Sequence, residues 1–162
     1  MDLSRTLRAL LALVVTIAIC YGAWSYLERT DPPEPPAPST LLLRVTTLKD
    51  GDSWIASDGR EYRLGMVNAP EAQEPCGRDA AQFTARFLAD GFTVDAYATD
   101  PHGRRVAEVF NPSGDSLNVA LAETGFGDDR YLDSFWHENP NLARRLDDAF
   151  DRAATPRCKR AA

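Results

Sequence analysis

The stretch DGDSWIASDGREYRLGMVNAPE, residues 50–71, limits the fold more than any other part of the chain. Residues 53–56 and 61–66 read as two short β runs around the turn Ser57-Asp58-Gly59-Arg60. Two antiparallel strands joined by a short turn begin and end at the same sheet edge. The acidic turn Asp50-Gly51-Asp52 and the segment Asn68-Ala69-Pro70-Glu71 are therefore expected to meet, with Arg63 on the strand between them. Oxygen donors beside a guanidinium suit a hard divalent cation and a phosphate. Asp-Gly is a common turn dipeptide and Ala-Pro-Glu often only opens a helix, so each piece alone reads as ordinary turn chemistry. The set gains weight from a second turn, Asp100-Pro101-His102-Gly103-Arg104.

The pattern around this hairpin is α+β. Residues 41–49, LLLRVTTLK, are apolar and β-branched and predict a buried strand. Residues 78–89 predict an amphipathic helix with Ala81, Phe83, Ala85, Phe87 and Leu88 on its apolar side, stopped by Asp90-Gly91. Residues 92–99 and 105–110 alternate as strands. Ser116 caps a short helix that runs to Glu123, residues 127–140 read as irregular, and 141–153 form a last helix. Five strands with an interposed helix meet the requirement of an OB-type barrel, here with three helices.

Ahead of this domain, residues 9–27 run for 19 positions without a charge. As a helix that span is about 28 Å long, close to the hydrocarbon thickness of a bilayer. Arg5 and Arg8 precede it, within a short cytoplasmic segment 1–8, and Trp24 and Tyr26 fall where an interfacial aromatic belt would lie. The reading is a transmembrane or signal-anchor helix, with the bulk of the chain outside the cytoplasm. A cleaved signal peptide, leaving a secreted protein, is the alternative. Cys20 is flanked by bulky Ile19 and Tyr21, which argues against lipid attachment. Residues 28–40 form a linker whose second part, DPPEPPAPST, has five prolines in ten positions, too many for a helix or a central strand. The domain is expected at 41–154, with a C-terminal tail at 155–162.

In their order and spacing, the domain's motifs resemble the thermonuclease, or staphylococcal-nuclease-like, family. The motifs are DGDS at 50–53, YRLGMVNAPE at 62–71, PCGRDA at 75–80, DPHGR at 100–104 and SLNVALAETGF at 116–126. The resemblance covers residues 41–153. It implies a five-stranded OB barrel and Ca²⁺-dependent, low-specificity hydrolysis of DNA and RNA phosphodiesters that leaves 3′-phosphates. It further implies Asp52, Asn68 and the backbone carbonyl of Ala69 as calcium ligands, Arg63 and Arg104 as phosphate-binding arginines, and Glu71 as the residue acting on the attacking water. Tyr131 falls where the family places a nucleotide-contacting tyrosine. Position 68 departs from the pattern, since active members usually carry Asp there. An amide oxygen still ligates calcium but brings no charge, so the metal is expected to bind more weakly, and Asn68→Asp is expected to strengthen it. His102 stands where the family has a tyrosine and reads as a neutral replacement.

The net charge of −6 excludes a surface that grips nucleic acid all over, because non-specific binding is cationic, while leaving room for one basic cleft. Late acids, among them Glu123, Asp128, Asp129, Asp133, Asp147, Asp148 and Asp151, read as a solvated face. Cys76 and Cys158 lie on the side of the span expected to be oxidising and make one possible pair, against two unpaired thiols. The expected protein is thus a monomeric, membrane-anchored nuclease acting on DNA or RNA. The alternative is a catalytically weak or inactive OB module that binds nucleic acid or protein. Asn68 and the acidic surface favour the alternative, whereas the joint presence of Asp52, Arg63, Glu71 and Arg104 favours the enzyme.

Overall fold

The computed structural model describes residues 42–155 and, ahead of them, Thr16. The chain divides into two units, Met1–Ser39 and Thr40–Ala162. The expected span at 9–27, the proline-rich linker, Cys20 and Cys158 lie outside the described residues. Among the described residues, no helix is long and apolar enough to cross a membrane.

The second unit holds β1 (Val45–Leu48), β2 (Ser53–Ala56), β3 (Glu61–Leu64), α1 (Gly77–Phe87), β4 (Thr93–Thr99), β5 (Arg105–Phe110), α2 (Leu117–Glu123), a 3₁₀ turn (Asp133–Phe135) and α3 (Pro140–Arg152). The strands form a single sheet in the order β1-β2-β3-β5-β4, antiparallel throughout except for the parallel pair β3 and β5. Ahead of β1 and β4, Leu43 and Phe92 exchange both backbone hydrogen bonds, at 2.8 and 2.9 Å, and so join the two ends of the sheet. The expected α+β class, five strands and three helices are present, and this closure is consistent with an OB-type barrel.

The first strand corrects the sequence reading. Residues 41–49 were expected to be buried, yet Val45 and Leu48 are half-buried while Thr46 and Thr47 face solvent. The reason is topological: β1 hydrogen-bonds along its length only to β2, and the closing contact is made earlier, by Leu43.

The helices start where side chains satisfy their free N–H groups. Ser116 accepts from the Val119 N–H at the head of α2. Asn139 accepts from the Leu142 N–H at 3.1 Å, and Pro140 follows at the first turn of α3, where a missing N–H costs nothing. Leu142, Ala143, Leu146 and Ala149 of α3 pack with Leu117, Leu121 and Ala122 of α2 into the core. On the barrel side Trp54 meets Phe92 edge to face, ring centres 5.8 Å apart.

The face that α1 buries is not the one the periodicity indicated. Gly77, Ala80, Thr84 and Leu88 form its inner row, Phe83 and Phe87 flank it, and Ala85 is exposed. The neighbour of that row explains the choice. A Cβ at Gly51 would stand 2.8 Å from the Cβ atoms of both Ala69 and Ala80, so the acidic turn and the helix fit only with small residues at all three places. Thr84 then donates its hydroxyl to the Gly51 carbonyl at 2.6 Å. Through these contacts α1 sets the position of Asp50 and Asp52.

Candidate active site

The hairpin delivers its two ends to one place, as its strand pairing requires. Asp52 is buried and engaged at both oxygens. Oδ1 accepts from Ser53 Oγ at 2.7 Å and from Arg63 Nη1 at 2.9 Å, while Oδ2 accepts from the Ala69 N–H at 2.7 Å. Burial pushes the Asp52 carboxyl up to about 6, and Asp50 nearby adds to the rise. The Arg63 charge and the hydrogen bonds from Ala69 and Ser53 oppose it. Asp50 does not lean into the site: its Oδ1 accepts from the Asp52 N–H at 2.9 Å and holds the turn in shape.

After β3 the chain folds back through Met66, which has a positive φ of 63° and a buried side chain. That left-handed step lies between Arg63 and Asn68 and returns Asn68 to the guanidinium. Asn68 Oδ1 accepts from Arg63 Nη2 at 3.2 Å. On its other side Asn68 Nδ2 donates to Asp128 Oδ2 at 3.2 Å. A continuous row of side chains results, from Asp52 through Arg63 and Asn68 to Asp128. The Arg63 guanidinium also lies over the ring of Tyr131, 5.2 Å from its centre, in cation–π contact.

The second arginine stands on the turn between β4 and β5. Arg104 Nε donates to Asp100 Oδ2 at 2.7 Å, and Asp100 Oδ1 accepts from the N–H groups of His102 and Arg104 at 2.9 and 3.0 Å. Burial alone would raise the Asp100 carboxyl. The hydrogen bonds from Arg104 and His102, with the Arg104 charge, outweigh it and hold the group below its ordinary value. Because Asp100 binds Nε, the two terminal nitrogens of Arg104 are left for another ligand.

Between these two limbs lies a cavity of ≈ 480 Å³. Arg63, Asn68, Glu71, Arg104 and Tyr131 all line it, over a partly apolar floor that includes Leu64, Val106 and Phe135. The Glu71 carboxylate is exposed and has no hydrogen-bond partner among the described residues, while its N–H donates to Glu74 Oε2 at 2.9 Å. Asp52 and Ala69 stand behind this wall. The expected site residues are therefore brought together, apart from the cysteines. Cys76 precedes α1 in a left-handed conformation (φ 70°) and is disulfide-bonded; its expected partner Cys158 lies outside the described residues.

Oxygen is the right donor for a hard cation, and Asp52, Asn68 and Ala69 present only oxygen. Among the described residues, however, no three His, Cys, Asp or Glu side chains gather closely enough to hold a metal ion. The neighbouring positive charge is Arg63, which binds both Asp52 Oδ1 and Asn68 Oδ1. The donor set fits calcium in kind, but those two oxygens are shared with the guanidinium.

Three contributors were not singled out from sequence. Asp128, expected among the solvated acids, does have 42% of its side chain exposed, and it also accepts from Asn68. Asp100 orients Arg104. Asn118, fully buried on α2, accepts from the Val109 N–H and donates to the carbonyls of Gly65 and Ala107, fastening β5 to the chain as it leaves β3. The buried amide inside SLNVALA was the available signal for Asn118; for Asp128 the local sequence carries none.

Residues 61–153 match the profile of the family described as staphylococcal nuclease homologue. A protein of Escherichia coli O157:H7 named "Uncharacterized endonuclease" is 29% identical over 86 residues. The match covers 51% of this chain and 56% of that protein, so the chain spans about half the length of this relative.

Proposed function

The chain belongs to the staphylococcal nuclease homologue family, and from that premise we propose that it is a calcium-dependent nuclease that hydrolyses DNA or RNA phosphodiester bonds with low sequence specificity and leaves 3′-phosphates. One observation carries the reading: two guanidiniums, a carboxylate unpaired among the described residues and an aromatic ring converge on a single cavity. Phosphodiester hydrolysis adds negative charge to the equatorial oxygens as water attacks in line. Arg63 and Arg104 approach from opposite limbs and neutralise that charge with fork-shaped donors. Arg63 uses two of its five N–H groups on Asp52 and Asn68 and keeps the others for phosphate. Glu71, exposed at the rim, orients and deprotonates the water. Tyr131 offers a ring face to a base or sugar. Asp52, Asn68 and the Ala69 carbonyl would hold a calcium ion, which would supply further positive charge.

The N-terminal span is proposed as the membrane anchor that holds a monomeric domain outside the cytoplasm, and Cys158 as the partner of Cys76. Peptide mapping under non-reducing conditions tests the second point. The enzyme reading is tested by incubating the full chain with single-stranded DNA, in calcium and in chelator, beside Glu71→Gln. Calcium-dependent cleavage that falls about 10²-fold or more in the variant is expected. Folded protein that cleaves nothing at millimolar calcium would instead make the chain a binding module. The capture of Asp52 and Asn68 by Arg63 is the observation that favours this second reading.

A further inference from the structure

We propose that Asp128 is a positioning residue of this site: it fixes the Asn68 amide with its oxygen toward Arg63, so that positions 68 and 128 together accommodate one carboxylate. Only the cleavage readout of this inference rests on the nuclease reading.

The contact is built into the backbone. Asn68 and Asp128 form an isolated antiparallel bridge, with Asn68 N–H to Asp128 carbonyl at 3.1 Å and Asp128 N–H to Asn68 carbonyl at 2.8 Å. The approach needs Gly127, where a Cβ would stand 2.6 Å from Val67 Cγ1. The bridge therefore sets the separation of the two side chains, and Asn68 Nδ2 reaches Asp128 Oδ2 at 3.2 Å.

An amide has a donor end and an acceptor end. Arg63 offers only N–H groups, so it accepts a partner at position 68 only when the oxygen faces it. Asp128, an acceptor on the other side, selects that orientation. Other charges near the pair include Asp52 on the Arg63 side, Glu71 on the same cavity wall, and Arg130, 3.6 Å from Asp128 in an exposed pair.

Hydrogen-bond direction then constrains substitution. In Asn68→Asp the donor to Asp128 is lost and two carboxylates face each other across the bridge, so the contact that orients position 68 toward Arg63 is replaced by repulsion. Charge counting at position 68 alone predicts a gain; the positioning role predicts a loss. If Asp128 becomes Asn as well, its amide donates back to the new carboxylate. Position 68 still accepts from Arg63, and every hydrogen bond in the row survives with the same total charge. Neighbours that share partners in this way couple, so their single effects do not simply add.

The test is a double-mutant cycle in the full chain: wild type, Asn68→Asp, Asp128→Asn, and both together. Three quantities are read: kcat and KM on single-stranded DNA in calcium, affinity for a short single-stranded oligonucleotide in chelator, and the unfolding midpoint. Asn68→Asp alone should lower kcat and chelator affinity about tenfold, and the double variant should recover both to within about threefold of wild type. The inference is overturned if Asn68→Asp gains activity and affinity while Asp128 is intact, or if the two single effects multiply without rescue. No cleavage in any of the four, with rescue still seen in affinity, sinks the nuclease reading and leaves the positioning role standing. No cleavage together with uncoupled affinities sinks both.

Discussion

The two arginines of the cavity are about equally covered, with 16% and 22% of their side chains exposed, yet their surroundings differ. Arg63 is held at three points, by Asp52, Asn68 and the Tyr131 ring, and its carboxylate partner is buried beneath a helix. Arg104 is held at one atom by an aspartate that the N–H groups of its own turn also satisfy. The first limb ties the site to the core, whereas the second is a local turn that aims one side chain. The comparison separates two meanings of an ordered arginine: one whose removal leaves a carboxylate in the core without its counter-charge, and one whose partner is still held by the N–H groups of its own turn.

The strongest way to break the comparison is Arg63→Met. It should lower cleavage by about 10²–10³-fold. It should also cost about 3 kcal/mol in urea unfolding, because Asp52 is left buried and unpaired. Arg104→Met should lower cleavage about 10²-fold, again as for the loss of one donor to the developing charge. Its stability cost should be smaller, because the N–H groups of His102 and Arg104 still bind the Asp100 carboxylate. Equal unfolding free energies for the two variants would mean that the limbs do not differ as described.

A smaller effect sharpens the contrast through pH. Asp100 has a folded pKa below its unfolded value, so its contribution to stability is present above the unfolded value and is lost as pH falls through the folded one. The stability difference between wild type and Arg104→Met should therefore hold constant from neutral pH down to about 4 and collapse below that. A difference that already shrank between about pH 8 and 5 would point to another titrating group on this limb.

Much of this was legible in the chain because it is local. The hairpin, the Asp100–Arg104 turn and the helix start at Ser116 follow from turn chemistry, caps and alternation over a few residues, whereas the Asn139 cap of the last helix was passed over as part of an irregular stretch. The inner face of α1 was misread because apolar spacing counts side chains and not the space they enter; a backbone turn at Gly51 selects small residues there over the larger apolar ones. The contact of Asp128 with Asn68 was missed because it spans 60 residues and depends on a single bridge, which has no period to detect. Most residues that line the cavity stand in the motifs read from the chain, while the bonds among them, Arg63 to Asn68 above all, needed the fold.

The bridge between Leu43 and Phe92 also sets where this domain can be released. A protease acting in the proline-rich segment would free a barrel whose closing contact is intact. A cut only a few residues later would remove Leu43 and leave the Phe92 end of the sheet without its partner. Leu43 thus marks the point up to which the domain can be trimmed from its N-terminal side without opening the sheet.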